Sequence, residues 1–327
     1  MRRERRLTTL AALAAVSMLA LAGCAGQEAT ADSQPTTATT IEVQDNHGTQ
    51  TVTVPPKSVV ATDNRTFETL DAWGVELAAG AVTLMPSTVS YKADDSIIDL
   101  GSHREPNLEG VVAVEPDLII NGQRFAQFRD QFVSLAPGAA VVDLDPREGE
   151  PLDTELKRQV TTLGEIFGKQ NEAAKLGADL DEAIADAKQA YDPDQTVMAV
   201  NVSGGEVGYI APTVGRTLGP VFDLLGLTPA LKVDEASDNH EGDDISVEAI
   251  AAANPDWILV MDRDAAVGEG EVQPASEIIE SSEALANVTA VKEGNIVYMP
   301  ADTYTNEGIQ TYTEFFATVA DAFRAKN

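Results

Sequence analysis

Leu108-Glu109-Gly110-Val111-Val112-Ala113-Val114-Glu115-Pro116-Asp117-Leu118-Ile119-Ile120 and Val247-Glu248-Ala249-Ile250-Ala251-Ala252-Ala253-Asn254-Pro255-Asp256-Trp257-Ile258-Leu259 are two copies of one pattern. Aligned without gaps, Glu109 falls on Glu248, Pro116 on Pro255 and Asp117 on Asp256. Each copy predicts a short amphipathic helix, a Pro-Asp turn and a buried apolar strand. The proline ends the helix because its ring clashes with the preceding turn. Seven residues past each aspartate stands an arginine, Arg124 and Arg263. Each is therefore expected just beyond the carboxyl end of a strand, the edge where open α/β sheets bind ligands. One such arginine is ordinarily a solvated loop residue. Two at the same offset in two repeats point to a shared ligand site.

The 327 residues suffice for two domains, and a hydrophobic content of 43% is ordinary for a globular chain. The net charge of -31 is not ordinary. It argues against nucleic acid as a partner, because phosphate binding needs a basic face. It also argues against a charge-based grip on anionic lipid. The single cysteine, Cys24, excludes an internal disulfide. Arg2, Arg3, Arg5 and Arg6 precede an apolar run from Leu7 to Leu21, too short for a membrane span. Leu21-Ala22-Gly23-Cys24 then resembles the bacterial lipobox. That resemblance implies a signal peptide over 1–23, cleavage before Cys24, and a diacylglyceryl anchor of palmitate type on the thiol. A lone cysteine can also be a catalytic nucleophile, but this one ends a signal-like segment.

Residues 24–40, poor in apolar residues, read as a flexible tether. Ile41-Glu42-Val43 and Thr51-Val52-Thr53-Val54 alternate about Asp45-Asn46-His47-Gly48, a hairpin signal with His47 exposed in its turn. Over 41–151 strand and helix patterns alternate. Ser58–Thr62 is a strand, and Phe67, Leu70 and Trp73 share the face of a helix capped by Asp63 or Asn64. Such alternation predicts a mostly parallel sheet with helices on its faces. Residues 152–191 carry Leu156, Val160, Leu163, Phe167, Leu176, Leu180 and Ile184 at helical spacing without proline. The reading is one long rigid helix, on the order of 50 Å at 1.5 Å per residue, interrupted only weakly by Gly164, Gly168 and Gly177. A coiled coil is the alternative, but the spacing is not heptad. Residues 192–327 return to strand–helix alternation. The fold class is thus α/β, two Rossmann-like lobes joined by one helix.

No Gly-rich phosphate loop lies between a strand and a helix, and no Gly-x-Ser-x-Gly turn exists. His47, His103 and His240 show no zinc-ligand spacing. Carboxylate pairs carry almost no information in a chain with 53 acids. An enzyme reading has only fold-level generality behind it.

Lipobox, tether, two α/β lobes and one spanning helix resemble the substrate-binding lipoproteins of ABC importers for iron-siderophores, haem and cobalamin. The resemblance covers roughly 41–325 and is carried by Glu109…Pro116-Asp117-Leu118-Ile119-Ile120, by Ile245-Ser246…Asn254-Pro255-Asp256-Trp257-Ile258-Leu259-Val260-Met261-Asp262-Arg263, and by Val214-Gly215-Arg216. The last two are similar to the branch that binds ferric catecholate siderophores. The resemblance implies a helical-backbone periplasmic-binding-protein fold, no catalysis, no intrinsic cofactor, and a ferric siderophore held as cargo between the lobes. It implies delivery to an ABC permease and its ATPase by a monomer, lipid-anchored on the extracytoplasmic face of the cell membrane. Three arginines of the cleft carry over onto Arg124, Arg216 and Arg263. A tyrosine that completes the iron shell in some members carries over onto Tyr304, by the spacing in Tyr304-Thr305-Asn306-Glu307-Gly308. A loop tyrosine touching the ligand edge, or only solvent, is the other reading of Tyr304. The partner histidine would be His240, but here Glu241 precedes Gly242 where the family has glycine at once, and surrounding acids would repel an anionic complex. Glu68 and Asp223 match the family's permease-docking acids, one per lobe. Haem or cobalamin binding in the same fold, or a surface hydrolase or adhesion lipoprotein, are the alternatives.

Overall fold

The computed structural model describes residues 39–326 apart from 234–235 and 269–271. Cys24, the leader and most of the tether lie outside the described residues.

The alternating segments pair as an antiparallel hairpin, β1 (Thr39–Asp45) and β2 (Gly48–Val54), which buries Val43 and Val52. The tether expectation ran two residues too far. Thr39 and Thr40 pair with Val54 and Thr53 and belong to the hairpin.

The first lobe runs β3 (Val59–Ala61), α1 (Phe67–Ala72), β4 (Ala79–Gly80), β5 (Ile98–Asp99), a small hairpin β6 (Gly101–Ser102) and β7 (Glu105–Pro106), α2 (Leu108–Ala113), β8 (Leu118–Asn121), α3 (Arg129–Leu135) and β9 (Ala140–Asp143). Its sheet has the order β5-β4-β3-β8-β9, every pair parallel. Asp63 and Asn64 do not cap α1. Its N-cap is Thr66, and both earlier residues are buried against other partners.

The expected single helix over 152–191 is two helices, α4 (Leu152–Phe167) and α5 (Gln170–Ala190). Gly168 adopts φ +67, the left-handed conformation that ends a helix and suits glycine. The chain then folds back. Lys157 Nζ reaches Asp181 at 2.6 Å, and a Cβ on Gly164 would lie 2.8 Å from Ala173 Cβ, so the helices meet closely where glycine stands. The apolar period survives the break because both helices bury a face. Leu156 and Val160 of α4 enter the second lobe's core, whereas Leu163 and Ile166 enter the first lobe's. The bridging element is therefore the 16-residue α4, about 24 Å long.

The second lobe contains β10 (Thr196–Ser203), β11 (Glu206–Ile210), α6 (Gly219–Leu225), β12 (Thr228–Pro229), α7 (Val247–Ala253), β13 (Trp257–Asp262), α8 (Arg263–Val267), α9 (Ala275–Glu280), α10 (Thr289–Glu293), β14 (Ile296–Tyr298) and α11 (Ile309–Lys326). Its sheet order is β11-β10-β13-β14, with β12 also on β10 and only β11 antiparallel. Among the described residues no helix is long and apolar enough to cross a membrane.

The two repeats fold alike. Asn107 and Ser246 cap α2 and α7, accepting from Gly110 N and Ala249 N. The aligned aspartates do the same work in each lobe. Asp117 accepts from Lys57 N and Ser58 N, and Asp256 from Thr196 N and Thr196 Oγ, so each carboxylate ties down the start of the neighbouring central strand.

Candidate functional site

Arg124 lies in a 3-10 turn directly after β8, and Arg263 is the first residue of α8 directly after β13. The repeat thus places both at the carboxyl ends of central strands. Gly122 makes the first turn possible, since a Cβ there would sit 2.9 Å from the Asp63 carboxyl group. Arg216 follows Gly215 in the tight loop before α6, where a Cβ on Gly215 would meet Ile210 and the Ala211 backbone within 2.8 Å.

The three guanidinium carbons converge on one ring. They stand 4.8 Å (Arg124), 5.3 Å (Arg216) and 4.9 Å (Arg263) from the centroid of Tyr304. Cations at such distances are attracted to the ring face. Arg124 also donates to the Tyr304 carbonyl at 3.1 Å and to Gln123 Oε1 at 3.2 Å. Arg263 donates to Ser203 Oγ at 3.0 Å, and its buried Nε has no partner among the described residues. Burial alone would raise the Tyr304 phenol. Hydrogen bonds from Arg263 and Arg124 and the charges of Arg124 and Arg216 outweigh it and hold the phenol below the usual tyrosine range.

Glu307, Gln123 and Arg65 belong to the site but carried no signal in the sequence. Glu307 Oε2 accepts from Arg216 Nη2 at 2.9 Å, Gln123 Nε2 at 3.0 Å and Arg65 Nη2 at 3.4 Å. Its Oε1 accepts from Arg216 Nε at 3.2 Å and Thr217 Oγ at 2.5 Å. Burial opposes the charged form, but Arg216 and Arg65 overcome it and hold the Glu307 carboxyl at about 2. Arg65 is itself shared with Asp145 at 3.1 Å. Arg65, Gln123, Arg124, Arg216, Thr217 and Glu307 line a cavity of about 540 Å³.

Tyr304 and Glu307 lie on the segment between β14 and α11, which crosses to the first lobe. Asn64 donates to the Thr305 carbonyl at 3.0 Å, Thr88 to Asp302 at 2.5 Å, and Asn306 to Glu68 at 2.8 Å. Glu68 is therefore half-buried and hydrogen-bonded at the lobe junction, and its carboxyl is raised by burial despite the bond from Asn306. Asp223 is exposed on α6 and accepts from Thr213 Oγ.

No hydrogen bond or ion pair joins His240 to Tyr304 or to the three arginines. Its ring faces Glu241 at 3.7 Å with 45% of the side chain exposed, and its carbonyl accepts from Asn201. Another histidine lies within the electrostatic reach of Arg124. His103, in the β6–β7 turn, has a buried Nδ1 without a partner among the described residues. Burial, then the charges of Arg124 and Arg104, push its imidazole down. No grouping of three or more acid, histidine or cysteine side chains suited to a metal ion occurs among the described residues.

Two lobes with mostly parallel sheets, a bridging helix and a cationic cluster fed from both lobes define a two-lobed solute-binding protein. The family model described as periplasmic binding protein matches residues 59–303, and the chain belongs to that family. It is 28% identical over 317 residues to the petrobactin-binding protein YclQ of Bacillus subtilis, covering 94% of this chain and 96% of that protein. It is 30% identical over 300 residues to the ferric-anguibactin-binding protein FatB of Vibrio anguillarum, covering 91% of each. The crystal structure of YclQ superposes with a TM-score of 0.74 at 26% identity, covering 87% of this chain and 99% of that one.

Proposed function

We propose that this chain is an extracytoplasmic solute-binding lipoprotein that captures a ferric siderophore of catecholate type and delivers it to an ABC permease and its ATPase. The observation that carries the reading is the convergence of Arg124, Arg216 and Arg263, from both lobes, on Tyr304. Guanidinium groups donate paired hydrogen bonds to oxygen anions and stack on aromatic rings, which are the two features of a metal-bound catecholate. The relatives named for petrobactin and ferric anguibactin support iron-chelate cargo. The anchor belongs to the same proposal and rests on the lipobox ending at Cys24. Tyr304, with 8% of its surface exposed, serves as the ring on which the arginines are arrayed and against which the ligand edge rests.

The test is a fluorescence titration of residues 25–327 with ferric catecholate, ferric hydroxamate, haem and cobalamin. The expected result is sub-micromolar quenching by the catecholate complex, lost in the Arg124→Ala/Arg263→Ala double variant. Binding of none, or equal binding of the neutral hydroxamate, overturns the reading.

A further inference from the structure

The three arginines are not equivalent. Arg216 directs both Nε and Nη2 at Glu307, so its charge is matched inside the protein. Arg65 is matched twice, by Glu307 and Asp145. Arg124 meets only the neutral oxygens of Gln123 and Tyr304 in its hydrogen bonds. Arg263 donates to Ser203 Oγ and pairs at 4.0 Å with the Asp264 carboxylate, which also accepts from Gly204 N and Gly205 N. Among the described residues Arg124 is therefore the arginine at the Tyr304 ring that has no carboxylate in hydrogen-bond or ion-pair contact, and Arg263 is held only by the long pair to Asp264. Glu307 is held by five donors from both lobes, with 2% of its side chain exposed.

We propose that Glu307 is a specificity-determining residue, a resident counter-ion that occupies Arg216 and sets the pocket for a ferric complex of low net negative charge in preference to a trianion. This rests on the ferric-siderophore reading above and refines its substrate class. A complex with three negative charges would place one of them against a site already neutralised by a carboxylate, where like charges repel across a poorly solvated gap. A complex with one negative charge is matched by Arg124, with the loosely paired Arg263 beside it.

The probes are two synthetic ferric complexes, one of a tetradentate bis-catecholate with a single net negative charge and one of a hexadentate tris-catecholate with three. Dissociation constants are measured by calorimetry for the wild type and for Glu307→Gln, with thermal melting as the check on folding. The wild type is expected to bind the bis-catecholate complex more tightly. Glu307→Gln should shift the affinity ratio towards the tris-catecholate by on the order of tenfold. Tighter wild-type binding of the trianion, or a ratio unmoved in a folded Glu307→Gln, overturns the proposal. The wild-type preference needs no variant, so it decides the matter if Glu307→Gln does not fold. Binding of neither complex by the wild type removes the ferric-siderophore reading itself.

Discussion

Glu307 shows how much of the site depends on one buried carboxylate. Its folded pKa of about 2 lies below the ordinary 4.5. The stability this shift contributes, roughly 3 kcal/mol, is present above the unfolded value and is lost as pH falls through about 2. Urea unfolding of the wild type and Glu307→Gln should therefore converge as pH drops from 6 towards about 3. A gap that stays constant with pH would contradict the assignment. Arg216→Ala is expected to destabilise by about 3–5 kcal/mol, because it leaves Glu307 buried without its main cation. Tyr304 supplies a second residue-scale test. Its absorbance titration, isolated as the difference from Tyr304→Phe, should lie below the ordinary tyrosine value and move up in Arg263→Ala, which removes a donor to the phenolate. The repeat pointed to Arg124 and Arg263, because it gave each an independent copy. Arg216 and Tyr304 came only through resemblance. Glu307 is one acid among 53, and Arg65, Gln123 and Thr217 meet it from separate segments, so no local pattern joins them.

The repeated helix–turn–strand is the element that made the fold legible, and its aspartates explain why. Asp117→Ala and Asp256→Ala each strip a carboxylate from the first amides of a central strand, at an expected cost of about 1–3 kcal/mol each. The two sites lie in different lobes, so chemical denaturation of the double variant should give the sum. A double variant no worse than either single would sink the view that they are equivalent, independent ties. The helix over 152–191 was legible in content but not in continuity. Hydrophobic spacing registers a buried face, and both α4 and α5 have one, so the pattern runs on through a reversal of direction. What breaks the helix is the left-handed backbone at Gly168, which glycine permits but does not announce, since Gly164 and Gly177 stand inside helices. Gly164→Val should destabilise more than Gly177→Val, because a Cβ at 164 collides with Ala173 whereas one at 177 meets only the flexible Lys157 side chain.

At the scale of the whole molecule, the crossing between β14 and α11 matters most to function. It leaves the second lobe's sheet, touches the first lobe at Asn64, Glu68 and Thr88, and carries both Tyr304 and Glu307. A ligand that engages Arg124 from one lobe and Arg263 from the other must act on that same segment. The sequence pointed to Tyr304 by resemblance but not to this crossing, because 300–308 has no helical or strand period and its partners are some 240 residues away. The acidity of the chain gave no hint of this local cationic cluster, since net charge averages over a surface and a site does not.

On this reading one ferric complex sits beside Tyr304 between arginines of the two lobes. An anomalous difference map at the iron edge, from crystals grown with ferric catecholate, tests it most directly. The expected result is a single iron peak next to the Tyr304 ring, flanked by Arg124 and Arg263, with Arg216 still held by Glu307. An iron peak outside that cluster, or none in crystals of a protein that binds the complex in solution, would contradict it.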